Sequence, residues 1–382
     1  MDVHCKRLYT FGAEKGRREG DDRGVRGAQE FFHPVTKRQA PALVKAGKRP
    51  RMSTTQINPL EALSQALSLD MAAVNTLIRQ RMASENAPRI PEVTAHLIEA
   101  GGKRIRPMMT LAAARLCGYD GDAHVKLAAT VEFIHTATLL HDDVVDESAQ
   151  RRGRPTANLL WDNKSSVLVG DYLFARAFQL MVEPGNLRAL TILSNAAAVI
   201  AEGEVLQLTA AQNTATTEAT YFKVIRGKTA ALFSAATQVG PVIAGSDEAQ
   251  VQALYDYGDA LGICFQIVDD FLDYGGAGDG LGKNLGDDFR EGKLTLPVIR
   301  AIAAADADER AFWDRTIGKG QQAEGDLDHA MTLLARHGTL ESTRRTALDW
   351  ADRARSALAP LPAHPLKDML ADLADFVVKR VS

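Results

Sequence analysis

VKLAATVEFIHTATLLHDDVVDESAQRRG, residues 125–153, carries an apolar stretch straight into four carboxylates and then into paired arginines. Residues 125–141 are apolar on nearly every face of a helix, which predicts a helix surrounded by protein rather than one lying on a surface. Residues 261–271 have the same character and also run into aspartates, DDFLD at 269–273 matching DDVVD at 142–146. Around these two, amphipathic segments follow one another from about Asn58. Leu60, Leu63, Leu67 and then Met71, Val74, Leu77 and Ile78 recur at helical intervals. Pro88 and Pro91, Gly118 and Gly121, Gly153 to Pro155, and Pro184-Gly185 mark the turns. The pattern predicts an all-α single domain with central helices in an amphipathic shell, without β-hairpins or repeats. The one long irregular segment, residues 275–297, is glycine-rich and is expected to form a loop or lid.

The net charge of −3 over 382 residues gives no reason to expect a nucleic-acid partner. That balance is uneven, because residues 1–51 alone carry +7 and leave −10 for the rest. Residues 1–52 have no sustained apolar period and are expected to be a basic, disordered extension ahead of a helical domain at 53–382. They contain no apolar core of a secretory signal, and their acidic residues argue against a transit peptide. Cys5, Cys117 and Cys264 are too few and too scattered for a disulfide framework or a zinc site, and fit a reducing compartment. No run of about 18 apolar residues stands out, so no transmembrane segment is expected and the cytoplasm is the expected location.

The two Asp-Asp-x-x-Asp clusters carry the chemistry. Positions i and i+4 share a helix face, so Asp142 and Asp146 point the same way, as do Asp269 and Asp273. Like charges held that closely stay ionised together only when a cation neutralises them. Mg²⁺ suits them, since it takes a few carboxylates and completes its shell with water and phosphate oxygens. One such cluster alone reads as a solvated helix end, whereas two, each closing an apolar helix, point to a metal site. Basic groups complete the pattern: Lys103, Arg104 and Arg106 in GGKRIRP, Arg151, Arg152 and Arg154 in RRGRPT, and Lys228 beside Thr229 in RGKTAALF. Each alone reads equally well as surface charge. Together with the carboxylates they describe a pocket for two polyphosphate groups, one held through metal and one by direct cation contact.

GGKRIRP, EFIHTATLLHDDVVDESAQRRG, GDYLFARAF, GKTAALFSAA, FQIVDDFLD and GKNLGDD, in that order, closely resemble the trans-polyprenyl diphosphate synthases. The likeness runs from about Asn58 to the C-terminus and is strongest to the long-chain bacterial enzymes that make the side chain of ubiquinone or menaquinone. It implies an isoprenoid-synthase helical bundle around a central cavity. Asp142, Asp143 and Asp146 would form the first aspartate motif and Asp269, Asp270 and Asp273 the second, with Asp142, Asp146 and Asp269 as Mg²⁺ ligands. Arg151, Lys228, Thr229, Gln266 and Lys283 would touch the allylic diphosphate. Lys103, Arg106, His135 and Arg152 would bind the diphosphate of isopentenyl diphosphate. Arg151 and Arg152 would thus serve two diphosphates rather than pair with the neighbouring carboxylates. Glu147 and Arg154 remain surface charges, and Asp143 stands about 100° around the helix from Asp142.

The implied reaction ionises the allylic diphosphate, joins the cation to isopentenyl diphosphate, and passes the lost proton to the released diphosphate, with no protein base. Ala137 and Thr138, one turn before Asp142, are small, and the resemblance ties small residues here to a deep tunnel and a product of roughly eight to ten isoprene units. Phe133, Phe174 and Phe178 are candidates for the tunnel floor. A homodimer and transient membrane contact during product release are also implied. A shorter-chain synthase, a terpene cyclase or squalene-synthase-like enzyme, and a non-catalytic subunit of a heteromeric synthase stay open. A cyclase would not need the second cationic site, and a non-catalytic subunit would be expected to lack an aspartate motif.

Overall fold

A computed structural model describes residues 58–99, 101–275 and 285–381. The expectations for residues 1–52 and for Lys283 lie outside the described residues. The helices of twelve residues or more are α1 (Ser68–Met82), α2 (Ile105–Leu116), α3 (Ala123–Val145), α4 (Asn163–Val182), α5 (Leu187–Ala210), α6 (Ala231–Ala244), α7 (Glu248–Gly275), α8 (Thr339–Ala357) and α9 (Pro365–Val378). The all-α expectation holds. α3 and α7 are the central pair: Leu127, Ile134 and Leu140 of α3 and Leu261, Ile263 and Ile267 of α7 have no exposed surface. α3 packs on α4 and α2, α7 on α6 and α8, and α6 joins the two halves by packing on α2, α3 and α5.

Local chemistry sets the helix ends. Asp162 accepts from the Ser165 amide at 2.6 Å to open α4, and Asn186 accepts from the Ala189 amide at 2.9 Å to open α5. These side chains satisfy donors that the first turn leaves unpaired. α3 stops inside the first aspartate motif, with Asp146 as its C-terminal cap. α7 ends two residues after Asp273, at Gly275. Both motifs therefore sit at helix C-termini, where the backbone contributes further negative charge and raises the need for a cation.

Three expectations change. A minimal hairpin does form: Gln150–Arg151 pairs antiparallel with Arg154–Pro155. Its two turn residues, Arg152 (φ 55°) and Gly153 (φ 75°), both take the left-handed backbone that two-residue hairpins of this kind require. Asn usually fills the first of these positions, so the arginine concealed the turn. Within 275–297, the described part is folded: Asp287–Arg290 makes a helical turn and a helix starts at Leu296. Buried Phe289 anchors that turn against Trp313. Finally, α5 is long and apolar enough, by length and composition, to cross a membrane. Its alanines supply that hydropathy without an uninterrupted run, because Ser194 and Asn195 break it. Here α5 packs against α6 and the Arg226–Ala230 turn.

Candidate active site

The first motif splits its three aspartates between different partners. Asp142 is half-buried, and burial pushes its carboxyl up to about 7; Lys228 pulls it down, while Glu204 and Asp146 push it further up as like charges. Asp143 is fully buried and accepts from Arg151 through Nε at 2.8 Å and Nη2 at 2.7 Å. This corrects the expectation that Arg151 stays clear of these carboxylates. The rotation that takes Asp143 off the Asp142–Asp146 face turns it into the seam under the hairpin, where a buried carboxylate requires a cation. Asp146 meets Lys293 Nζ at 3.4 Å, and Lys293 also reaches Glu291 at 2.5 Å. Burial lowers the Lys293 pKa, but Asp146 and Glu291 outweigh it and leave it raised.

The second motif is equally divided. Asp269 is partly exposed and accepts from Arg380 at 3.1 Å, a residue of the Lys379–Val381 turn. Asp270 faces inward: the Tyr221 hydroxyl donates to it at 2.5 Å and the Gln266 amide at 2.8 Å. Gln266 in turn accepts from the Thr229 hydroxyl at 2.8 Å, so one hydrogen-bonded chain links Tyr221, Asp270, Gln266 and Thr229. Burial and the adjacent Asp270 hold the Tyr221 hydroxyl well above its usual pKa, so it stays protonated and donating. Asp273 accepts from the Asp288 amide at 3.1 Å through its carboxylate.

Lys228 and Thr229 lie on a wide π-helical turn, Arg226–Ala230, of the kind often found at functional sites. Gly203 of α5 and Gly227 of this turn touch backbone to backbone: a Cβ on Gly203 would lie 2.6 Å from the Lys228 amide nitrogen. That contact brings Lys228 Nζ to 2.8 Å from Glu204.

A pocket beside the first motif is lined by Arg104, Glu132, His135, Asp143, Arg151 and Arg152, among others. Arg104 forms an ion pair with Glu132. Arg106 lies beneath the pocket, its Nη1 3.2 Å from His135 Nε2 and its guanidinium 4.4 Å from the Phe233 ring centroid. Burial lowers Arg106 to about 10, which leaves it charged at neutral pH. Burial and the arginines around it hold His135 well below the usual histidine range, so it is neutral. Four guanidinium groups against two carboxylates leave the pocket positive, a match for an anion with several oxygens. Lys103 lies beside Phe376, within electrostatic range of Asp269 and Arg380. Arg104, Glu147 and Arg152 all carry left-handed backbone (φ 49°, 50° and 55°), strain that collects at functional sites.

Ala137 is fully buried, and the Thr138 hydroxyl is turned back onto the His135 carbonyl at 2.9 Å. Phe133 is in the core, Phe174 packs against the same core and stacks on His141, and Phe178 is exposed on α4. Sequence reasoning overlooked Glu132, Glu204, Tyr221, Lys293 and Arg380. Glu132 carried a signal, as a carboxylate within the apolar stretch that leads into the first motif.

Among the described residues, no three carboxylate, imidazole or thiolate groups converge tightly enough to cage a metal ion. The donors at hand are hard oxygens, with Asp142 and Asp146 one helical turn apart. Such a set fits Mg²⁺, which binds through one or two carboxylates and takes its remaining ligands from water and phosphate.

Residues 87–334 match the model of the polyprenyl synthetase family. Octaprenyl diphosphate synthase of Escherichia coli is 46% identical over 321 residues, covering 84% of this chain and 99% of its own. The crystal structure of a decaprenyl diphosphate synthase from Rhodobacter capsulatus is 74% identical with a TM-score of 0.83, covering 85% of this chain and all of its own. A polyprenyl synthase from Caulobacter crescentus, solved with calcium and isoprenyl diphosphate, is 54% identical with a TM-score of 0.80, covering 84% and 97%.

Proposed function

The chain belongs to the polyprenyl synthetase family, and on that premise we propose that it is a long-chain trans-polyprenyl diphosphate synthase. It adds isopentenyl diphosphate, head to tail, to an allylic diphosphate such as farnesyl diphosphate until the product reaches roughly C40–C50. The observation that carries this reading is the pairing of two carboxylate clusters at helix C-termini with a separate arginine pocket. One diphosphate can be met through metal and the other through guanidinium groups.

Asp142, Asp146 and Asp269 would hold Mg²⁺, which would supply positive charge to the departing allylic diphosphate. Lys228 and Arg151 add positive charge to the same diphosphate, as does Lys283 of the GKNLGDD stretch. Thr229 and Gln266 meet the same diphosphate, oriented through Asp270 and Tyr221. Isopentenyl diphosphate sits over Arg152 and His135, with Arg106 behind the histidine and Arg104 at the rim; Lys103 closes from the C-terminal side. The buried apolar faces of α3 and α7 keep water from the allylic cation. Ala137 and Thr138 leave room for a long product.

We further assign a homodimer, supported by the apolar side chains that α4 and α5 leave exposed, among them Val167, Leu168, Val205 and Leu208. Its place is the cytoplasm, its product the side chain of a quinone such as ubiquinone, released by brief contact with a membrane. The deciding experiment incubates the protein with farnesyl diphosphate, labelled isopentenyl diphosphate and Mg²⁺, and reads product length by chromatography. Absence of incorporation refutes the function; a product that stops at about C20–C35 refutes the chain length.

A further inference from the structure

We propose that Lys293 is the internal counter-ion of the first aspartate cluster: its ammonium group occupies Asp146 in the metal-free protein and must leave before a divalent cation binds there. The proposal rests on the reading of Asp146 as a metal ligand and adds a competitor for that site within the chain. Lys293 Nζ lies 3.4 Å from Asp146 Oδ2 across the cleft, from a part of the chain far from α3. Of the other cations near Asp146, Lys228 is engaged by Glu204, and Arg151 by Asp143, the buried member of the same cluster.

The segment that brings Lys293 here is fastened to the opposite cluster. The Gly286 amide donates to the Asp273 carbonyl at 2.8 Å and the Asp288 amide to the Asp273 carboxylate at 3.1 Å. The Lys293 amide then closes back on the Asp288 carbonyl at 2.9 Å. Residues 286–293 therefore strap the second motif to the first, through two backbone amides donating to Asp273 at one end and a side-chain charge at the other. Backbone bonds hold position, whereas a charge yields to a stronger charge. An ammonium and a divalent cation repel each other at this range, so the two compete for the same carboxylate. Metal binding would release Lys293 from Asp146 and leave it paired with Glu291.

The test is a Mn²⁺ titration of the full chain without substrate, with free Mn²⁺ read by electron paramagnetic resonance. Wild type, Lys293→Met and Lys293→Arg are compared, each checked by thermal unfolding. Removing a partly exposed ion pair that opposes binding should tighten Mn²⁺ binding by about fivefold in Lys293→Met, and Lys293→Arg should stay within about twofold of wild type. In EDTA the Met variant should unfold at a lower temperature than wild type, and saturating Mn²⁺ should erase the difference. Equal or weaker Mn²⁺ binding by Lys293→Met, including none by either protein, overturns the proposal. So does the same tightening in an Asp146→Asn background, which would place Lys293 on another carboxylate. Isopentenyl incorporation by the wild type is scored separately, so a failure of the proposed function is not mistaken for a failure of the competition.

Discussion

Adding one methyl group at Gly203 should separate activity from stability. A Cβ there would lie 2.6 Å from the Lys228 amide nitrogen and 2.9 Å from the Gly227 carbonyl carbon, against ordinary contacts of 3.4–4 Å. Both neighbours are backbone, so no side chain can swing aside, and α5 must part from the Arg226–Ala230 turn by roughly 0.8–1 Å. Overpacking of this kind costs about 1–3 kcal/mol. Replacing a glycine inside a helix returns about 1 kcal/mol. The net loss is therefore about 0–2 kcal/mol, a few degrees in Tm at most for a chain of this size. The same displacement moves Lys228 off Glu204 and Thr229 off Gln266, and a misplacement near 1 Å in catalytic machinery lowers rates about a hundredfold. Gly203→Ala should thus lose about two orders of magnitude in kcat/KM while melting almost as wild type. Gly240→Ala is the control. It meets an equally close backbone atom, the Ala114 amide nitrogen at 2.5 Å, in the α2–α6 contact rather than beside Lys228. Its stability should change by the same amount, about 0–2 kcal/mol, and it should keep its specific activity. Near wild-type turnover by Gly203→Ala, or equal losses of activity in the two variants, would refute the reasoning.

Tyr221→Phe removes a 2.5 Å hydrogen bond to a buried carboxylate and should lower unfolding free energy by about 1.5–3 kcal/mol. Urea denaturation checks this, and an unshifted midpoint would mean that Asp270 is satisfied without the hydroxyl. Ala137→Tyr should shorten the product; chain length unchanged on chromatography would remove Ala137 from the tunnel. His135 bears on pH dependence. Its folded pKa is depressed, so below about 6.5 the unfolded chain takes up a proton that the folded protein refuses. Stability is then lost as pH falls, by at most about 1.4 kcal/mol per pH unit from this one group. Thermal melts from pH 7.5 down to 5 should show a shallower decline for His135→Gln than for wild type. Parallel curves would mean that His135 titrates normally.

The all-α architecture was legible because two helices apolar on every face admit only burial, and because three- and four-residue spacings recur through the shell. The aspartate clusters were legible for a local reason: a four-residue spacing on a helix already determines which carboxylates share a face. Partnerships that join distant parts of the chain were not. Arg380 on Asp269, Lys293 on Asp146 and Tyr221 on Asp270 each depend on how α7 sits against other elements, and no local pattern encodes that. Arg151 shows the limit most clearly. Its proximity to Asp143 in sequence was visible, but the hairpin that folds it back onto Asp143 was hidden by an arginine where asparagine is usual. The wide turn at Arg226–Ala230 was unreadable too, since the close approach of Gly203 and Gly227 beside it joins two different segments.

The left-handed backbone at Arg104 and Arg152 bears on how this protein can change. Asparagine or glycine at either place would relieve strain of about 1 kcal/mol, a gain that selection for heat resistance would register at once. Both positions also put a guanidinium group into the anion pocket. Mutant libraries screened only for folding or solubility should therefore accumulate substitutions at Arg104 and Arg152, and the survivors should be well-behaved proteins with an emptied pocket. Any search for a hardier variant has to include turnover as a second criterion from its first round.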